Sequence, residues 1–235
     1  MMQLETGFIH DIAPGMAGEH ALLLMLPGAK NTPQQLADNG FIRALRERNL
    51  PVDALALDAH VDLYLERADI EHLLHHTLDE VRAQGYRRIW LFGISLGGLG
   101  AMICATQRTP EIEGVVLLAP FLGTRGLIAE VEAAGGLRHW QAGEIDSCDH
   151  ERVLLELIQR SLLDADSFPS IHLGYGSEDR YRGASILLSE CLPRNRVSAA
   201  FGGHDWETWA VLWRTILDKN PFVNVKNDEC RHGRI

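Results

Sequence analysis

The residues best placed to do chemistry are a serine, an aspartate and a histidine widely separated along the chain. Ser95 sits in Gly93-Ile94-Ser95-Leu96-Gly97, between the apolar run "RIWLF" (88–92) and the helix-like stretch "LGGLGAMICATQ". A strand that reverses sharply into a helix forces its turn residue into strained φ/ψ, and side chains two places away would collide, hence the flanking glycines. The serine oxygen then stands exposed, and the backbone N–H of Leu96, at the start of the new helix, is free to bind an oxyanion. A phosphate-binding turn fits less well. Ser95 occupies the middle glycine position of G-x-G-x-x-G, and no G-K-[ST] follows.

A serine alone is a weak nucleophile and needs a base that is itself oriented by a third group. "HLGYGSEDRY" puts Glu178 and Asp179 just after one strand-like run, and "SAAFGGHDWETW" puts His204 just after the next, with Gly202 and Gly203 allowing a flexible approach. Of the two carboxylates Asp179 is favoured, because the acid in such loops usually lies a few residues past the strand. The chemistry implied is attack of Ser95 on an acyl carbonyl, which needs neither a metal nor a cofactor.

These loops require a scaffold. "ALLLML" (21–26), "VDALAL" (52–57), "RIWLF" (88–92) and "GVVLLA" (114–119) are short apolar runs bounded by turn residues, as expected of parallel strands covered on both faces. "SIHLGYG" (170–176) and "RVSAAF" (196–201) are similar but less apolar, and the first twenty residues are expected to add one or two short edge strands. Helical patterns lie between them. "TPQQLADNGFIRALRERN" opens on Thr32 as cap and Pro33 at the first helical position, and "DIEHLLHHTLDEVRAQG" has Asp69 as a cap candidate and stops at Gly85. The alternation predicts an α/β fold with a mainly parallel central sheet, helices on both faces, and one domain over residues 1–235. Residues 121–167 interrupt the rhythm and are expected to form a small helical cap inserted over the sheet's carboxyl edge. There Leu127, Ile128, Val131 and Trp140 are candidates to wall an acyl pocket, Trp140 and Leu127 foremost.

With these elements in hand, the chain resembles the α/β-hydrolase superfamily from the strand at 21 to the helix ending near 217. The segment "GGHDWETW" is also similar to esterases of the enterochelin-esterase and esterase-D type, where a histidine precedes a D-W-x-x-W helix start. The resemblance implies Ser95 as nucleophile, His204 as general base and Asp179 as its orienting acid. Asp205 would cap the following helix, and Trp206, Trp209 and Trp213 would pack it on the sheet. One departure stands out. Many members carry His-Gly after the early strand, whereas this chain has Leu26-Pro27-Gly28-Ala29-Lys30. Proline has no N–H, so Ala29 or Gly28 must supply the second oxyanion donor, and Ala29 is expected with Leu96. The activity implied is hydrolysis of a carboxylic ester or thioester through an acyl-enzyme. An acyltransferase with the same triad, or a non-catalytic module that kept the fold, are the alternatives.

Other features point away from competing functions. A net charge of −10 would repel nucleic acid and anionic membranes. The opening "MMQLETGFIH" lacks a cationic n-region and a long apolar stretch, so a cytoplasmic location and a small-molecule acyl substrate are expected. Cys104, Cys148, Cys191 and Cys230 form no CxxC pair, and His72, His75 and His76 lie in "EHLLHH" rather than H-E-x-x-H, so no metal site is expected. Arg180 and Arg182 flank the acid, and Arg125 and His139 fall in the insertion. Any of them could hold a carboxylate or phosphate.

Overall fold

The structure, a computed structural model, describes residues 7–15, 20–65, 67–146, 149–163 and 168–222. The strands are β1 (Ile9–Asp11), β2 (Ala21–Leu26), β3 (Val52–Ala56), β4 (Ile89–Ile94), β5 (Gly114–Leu118), β6 (Ser170–Gly176) and β7 (Val197–Ala200). They form one sheet in the order β1-β3-β2-β4-β5-β6-β7. β1 runs antiparallel to β3, and every other neighbouring pair is parallel.

The central strands are buried on both faces because successive side chains point to opposite sides of the sheet. In β2, Leu22, Leu24 and Leu26 enter one core while Ala21, Leu23 and Met25 enter the other. The second core is closed by α1 (Pro33–Asp38), α2 (Phe41–Glu47) and α8 (Trp206–Asp218), with Phe41, Phe92 and Trp213 packed ring against ring. The first is closed by α3 (Arg67–Ala83), α4 (Leu96–Gln107), α5 (Arg125–Ala133), α6 (His150–Leu163) and α7 (Gly183–Ser189).

Two helix boundaries differ from expectation. The single helix read over "TPQQLADNGFIRALRERN" is two. Thr32 does cap the first, sharing a capping box with Gln35, but the chain turns at Asn39-Gly40. Gly40 has φ 80°, a left-handed conformation that only glycine adopts without strain, so the helix cannot pass through it. Asp69 is not a cap, because α3 already begins at Arg67 and Asp69 sits in its first turn, where a carboxylate still favours the helix dipole.

The segment read as a cap divides its labour. α6 sends Leu154, Leu155 and Ile158 into the core shared with α4, extending the helical layer over the sheet face. α5 instead borders the carboxyl edge of the sheet, beside α7. The last residues of that segment, 164–167, lie outside the described residues, as do Cys148 and Cys230. Among the described residues, no helix is long and apolar enough to cross a membrane.

Candidate active site

β4 delivers Ser95 directly: the strand ends at Ile94 and α4 begins at Leu96. The serine takes φ 51° and ψ −116°, outside the regions non-glycine residues favour. The surroundings impose that conformation. Ser95 N–H donates to the Leu118 carbonyl at 3.0 Å, and its own carbonyl accepts from Phe121 N–H at 2.8 Å and Gly98 N–H at 2.9 Å. A Cβ at Gly93 would stand 2.3 Å from the Gly97 carbonyl oxygen, and one at Gly97 would stand 2.2 Å from the Leu26 carbonyl oxygen. Both contacts are with backbone, so the turn closes only with glycine at these two positions.

The loops after β6 and β7 bring the other two residues to it. His204 Nε2 lies 3.0 Å from Ser95 Oγ, and His204 Nδ1 lies 2.6 Å from Asp179 Oδ2. Asp179 is fully buried, and its second oxygen accepts the Tyr181 N–H at 2.7 Å, so both carboxylate oxygens are engaged. Glu178 is exposed and instead donates its backbone N–H to the Gly202 carbonyl at 2.9 Å. That bond ties the acid loop to the histidine loop. Asp205 then starts α8, its carboxylate accepting the Thr208 N–H at 2.9 Å and the Gly203 N–H at 3.2 Å. The Thr208 N–H bond, together with the other hydrogen bonds it accepts, outweighs its desolvation and holds this carboxyl below its usual range. The His204 ring is held nearly perpendicular to Tyr181 at 5.1 Å and to Trp209 at 5.0 Å between centroids.

Ser95 and His204 open into a cavity of about 730 Å³. Ala29 lines it, beside Gly28, whose Cβ position is 3.6 Å from the Ser95 Cβ. Leu96 is the first residue of α4, so its N–H has no carbonyl a turn earlier to bond. An anion forming at Ser95 would therefore meet the open end of α4 and the β2–α1 loop.

Three of the expected wall residues, Trp140, Leu127 and Val131, are elsewhere. Trp140 is 3% exposed, donates its indole N–H to Glu130 at 2.9 Å, and carries the Arg152 guanidinium 5.6 Å from its ring centre. Leu127 is buried in the core under α5. The reason is helical phase. Arg125, Ile128, Ala129 and Glu132, spaced at i, i+3, i+4 and i+7, face the cavity. Leu127 and Val131 fall on the opposite, core-facing stripe. Of the cationic candidates, Arg125 and Arg180 line the cavity, whereas Arg182 and His139 do not. Several lining residues were not singled out by the sequence, among them Lys30, Tyr181 and Phe121. Tyr181, set between two arginines directly after the acid, carried a signal that could have been used.

No family model matches the sequence, and no curated protein matches it. The fold is more widely shared. A fluorophosphonate-binding serine hydrolase of Staphylococcus aureus superimposes with a TM-score of 0.63 at 15% identity, over 88% of this chain and 86% of that one. An S-formylglutathione hydrolase from Agrobacterium tumefaciens gives 0.58 at 13% identity, over 92% and 90%. A monoacylglycerol lipase from Paleococcus ferrophilus gives 0.56 at 15% identity, over 92% and 97%. The chain has the α/β-hydrolase fold. In α/β sheets of this open kind, ligands bind outside the carboxyl ends of the strands, and the cavity beside Ser95 occupies that edge. Within the α/β-hydrolase fold, Ser95 stands on the strand-to-helix turn at the end of β4, while Asp179 and His204 follow β6 and β7.

Proposed function

We propose that the protein is a serine hydrolase that cleaves a carboxylic ester or thioester through an acyl-enzyme on Ser95. The observation that carries this reading is the unbroken hydrogen-bond chain from buried Asp179 through His204 to Ser95, ending in a cavity. His204 Nε2 takes the Ser95 proton as Oγ adds to the carbonyl carbon, and the resulting oxyanion is received by the N–H groups of Leu96 and Ala29. His204 returns that proton to the leaving alcohol or thiol as the tetrahedral intermediate collapses to the acyl-enzyme. A water molecule, deprotonated by the same nitrogen, then adds to the acyl carbon, and as this second intermediate collapses His204 returns the proton to Ser95 Oγ and the acid is released. Asp179 fixes the imidazole tautomer with Nε2 as the acceptor and stabilises the imidazolium formed in each half-reaction. Solved structures of the same fold are described as a serine hydrolase, an S-formylglutathione hydrolase and a lipase, which supports an ester or thioester as the substrate class. The histidine segment "GGHDWETW" adds its resemblance to the esterase-D type.

The test is covalent. A fluorophosphonate probe is expected to label Ser95, and Ser95→Ala is expected to abolish labelling and lower ester turnover by at least about a thousandfold. The circular dichroism of the variant should match that of the parent. Parent-like turnover in folded Ser95→Ala protein overturns the proposal.

A further inference from the structure

We propose that the substrate of this site carries a carboxylate or phosphate group, held at the cavity mouth by Lys30, Arg125 and Arg180. This deepens the hydrolase reading and rests on it. The three cations come from separate elements, the β2–α1 loop, the first residue of α5 and the loop after β6, yet all line the Ser95 cavity. Glu132 is the one carboxylate among the lining residues, so the wall is net positive in a chain whose net charge is −10.

Several arginines elsewhere are matched to carboxylates. Arg88 forks onto Glu113, Arg108 meets Asp79 and Glu111, and Arg152 grips Glu130 with both terminal nitrogens. Arg125 and Arg180 form no ion pair with any described carboxylate. Instead both guanidinium groups lie over one ring, that of Tyr181, at 5.5 and 4.7 Å from its centre. That ring is the one set against His204. Two like charges gathered about one aromatic ring repel each other, an anion between them would relieve that repulsion, and guanidinium groups match carboxylate and phosphate oxygens in pairs. Arg125 also breaks a local rule. It opens α5, whose first turn holds no acidic residue, so its charge opposes the helix dipole. Such departures from local preference concentrate where a ligand compensates for them.

The test compares charged substrates with uncharged counterparts of the same reacting group. On the acyl side, mono-p-nitrophenyl glutarate is set against p-nitrophenyl butanoate. On the leaving-group side, the S-acetyl derivatives of mercaptopropanoate and of mercaptoethyl phosphate are each set against S-acetyl mercaptopropanamide. At low ionic strength at least one charged member is expected to exceed its neutral twin by about tenfold or more in kcat/KM, mainly through KM. A preference for the carboxylate or for the phosphate member identifies which source the site takes. In Arg125→Gln/Arg180→Gln the ratio should collapse toward one, with Lys30→Gln reducing it further. Equal handling of every pair by the parent protein, or a preference that survives in the triple variant, overturns the inference. Calorimetric binding of inorganic phosphate and glutarate reads the same wall without turnover. Binding lost in the double variant supports the anion site even where Ser95 escapes the fluorophosphonate, whereas no binding of either anion, with no charge preference, refutes it.

Discussion

Two histidine–aspartate pairs occupy opposite edges of the same sheet. At the carboxyl edge His204 Nδ1 lies 2.6 Å from Asp179; at the amino edge His20 Nδ1 lies 3.0 Å from Asp53. Both carboxylates are buried, at 0% and 1% exposure. The difference is in what remains free. Asp53 also accepts the Ala13 N–H at 2.8 Å and the Tyr86 hydroxyl at 2.6 Å, and the far nitrogen of His20 is crowded by Gly15. Both oxygens of that carboxylate end on other parts of the scaffold. The His204 ring instead keeps 20% exposure and turns its far nitrogen to Ser95 in the cavity. At the amino edge the pair ties β1, β3 and the approaches to β2 and β4 together. At the carboxyl edge the loops diverge and leave a crevice. The same two side chains are a staple in one place and, in the proposed reading, a base in the other, and the open end distinguishes them.

The comparison breaks most visibly under parallel substitutions. Asp179→Asn leaves the Tyr181 N–H bond possible but no longer fixes the imidazole tautomer, so kcat should fall by about ten-thousandfold while the melting temperature moves far less. Asp53→Asn should do the reverse. Removing one partner from a buried charged network is expected to cost about 2–4 kcal/mol, with kcat per folded molecule unchanged. Denaturant unfolding and active-site titration separate the two effects. Proportional loss of kcat in Asp53→Asn would show that the edges are not independent.

The pH dependence sharpens the same contrast. Burial alone would raise the Asp53 carboxyl, but the bonds from Tyr86, Ala13 and His20 outweigh it and hold it below its ordinary value. A carboxyl depressed in the folded state stabilises fully above the unfolded value, about 4, and loses that contribution as the pH falls through its folded value. The melting-temperature gap between the parent protein and Asp53→Asn should therefore be constant near neutrality and narrow below about pH 4. A gap that widens on acidification would reverse the sign of the argument. Tyr86→Phe has the smallest expected effect. It removes one hydrogen bond to Asp53, worth about 1 kcal/mol, and should lower the melting temperature by about 2–4 °C with no change in ester turnover.

Much of the scaffold was legible because parallel strands covered on both faces leave short, uniformly apolar runs, and β2 to β5 are of that kind. The spacing of glycines around Ser95, and an acid and a histidine each just past a strand, were visible for the same reason. What failed were questions of phase and distance. α5 carries apolar residues on both of its stripes, Ile128 toward the cavity and Leu127 and Val131 toward the core, so periodicity alone could not say which faces the site. Trp140 is apolar enough to line a pocket, yet it is held by Glu130 and Arg152, ten or more residues away in sequence. Asp53 passed unremarked inside "VDALAL" because its partners, His20 and Tyr86, each lie 33 residues away. Gly40 was readable, since Asn-Gly is a turn dipeptide, but a continuous apolar pattern across it suggested a single helix.

The backbone of Ser95, at φ 51° and ψ −116°, also bears on how such a chain ages in evolution. A non-glycine residue held there costs the fold on the order of 1–3 kcal/mol. Glycine would relax that cost, and the neighbouring hydrogen bonds to Leu118 and Phe121, made by backbone groups alone, would persist. Selection for stability by itself therefore favours losing the hydroxyl, one base change away from the AGY serine codons. A lineage released from its substrate would drift toward glycine at this position and gain robustness as it did so. Under the proposed acyl-enzyme reading, it is the use of its hydroxyl that keeps a serine in that conformation.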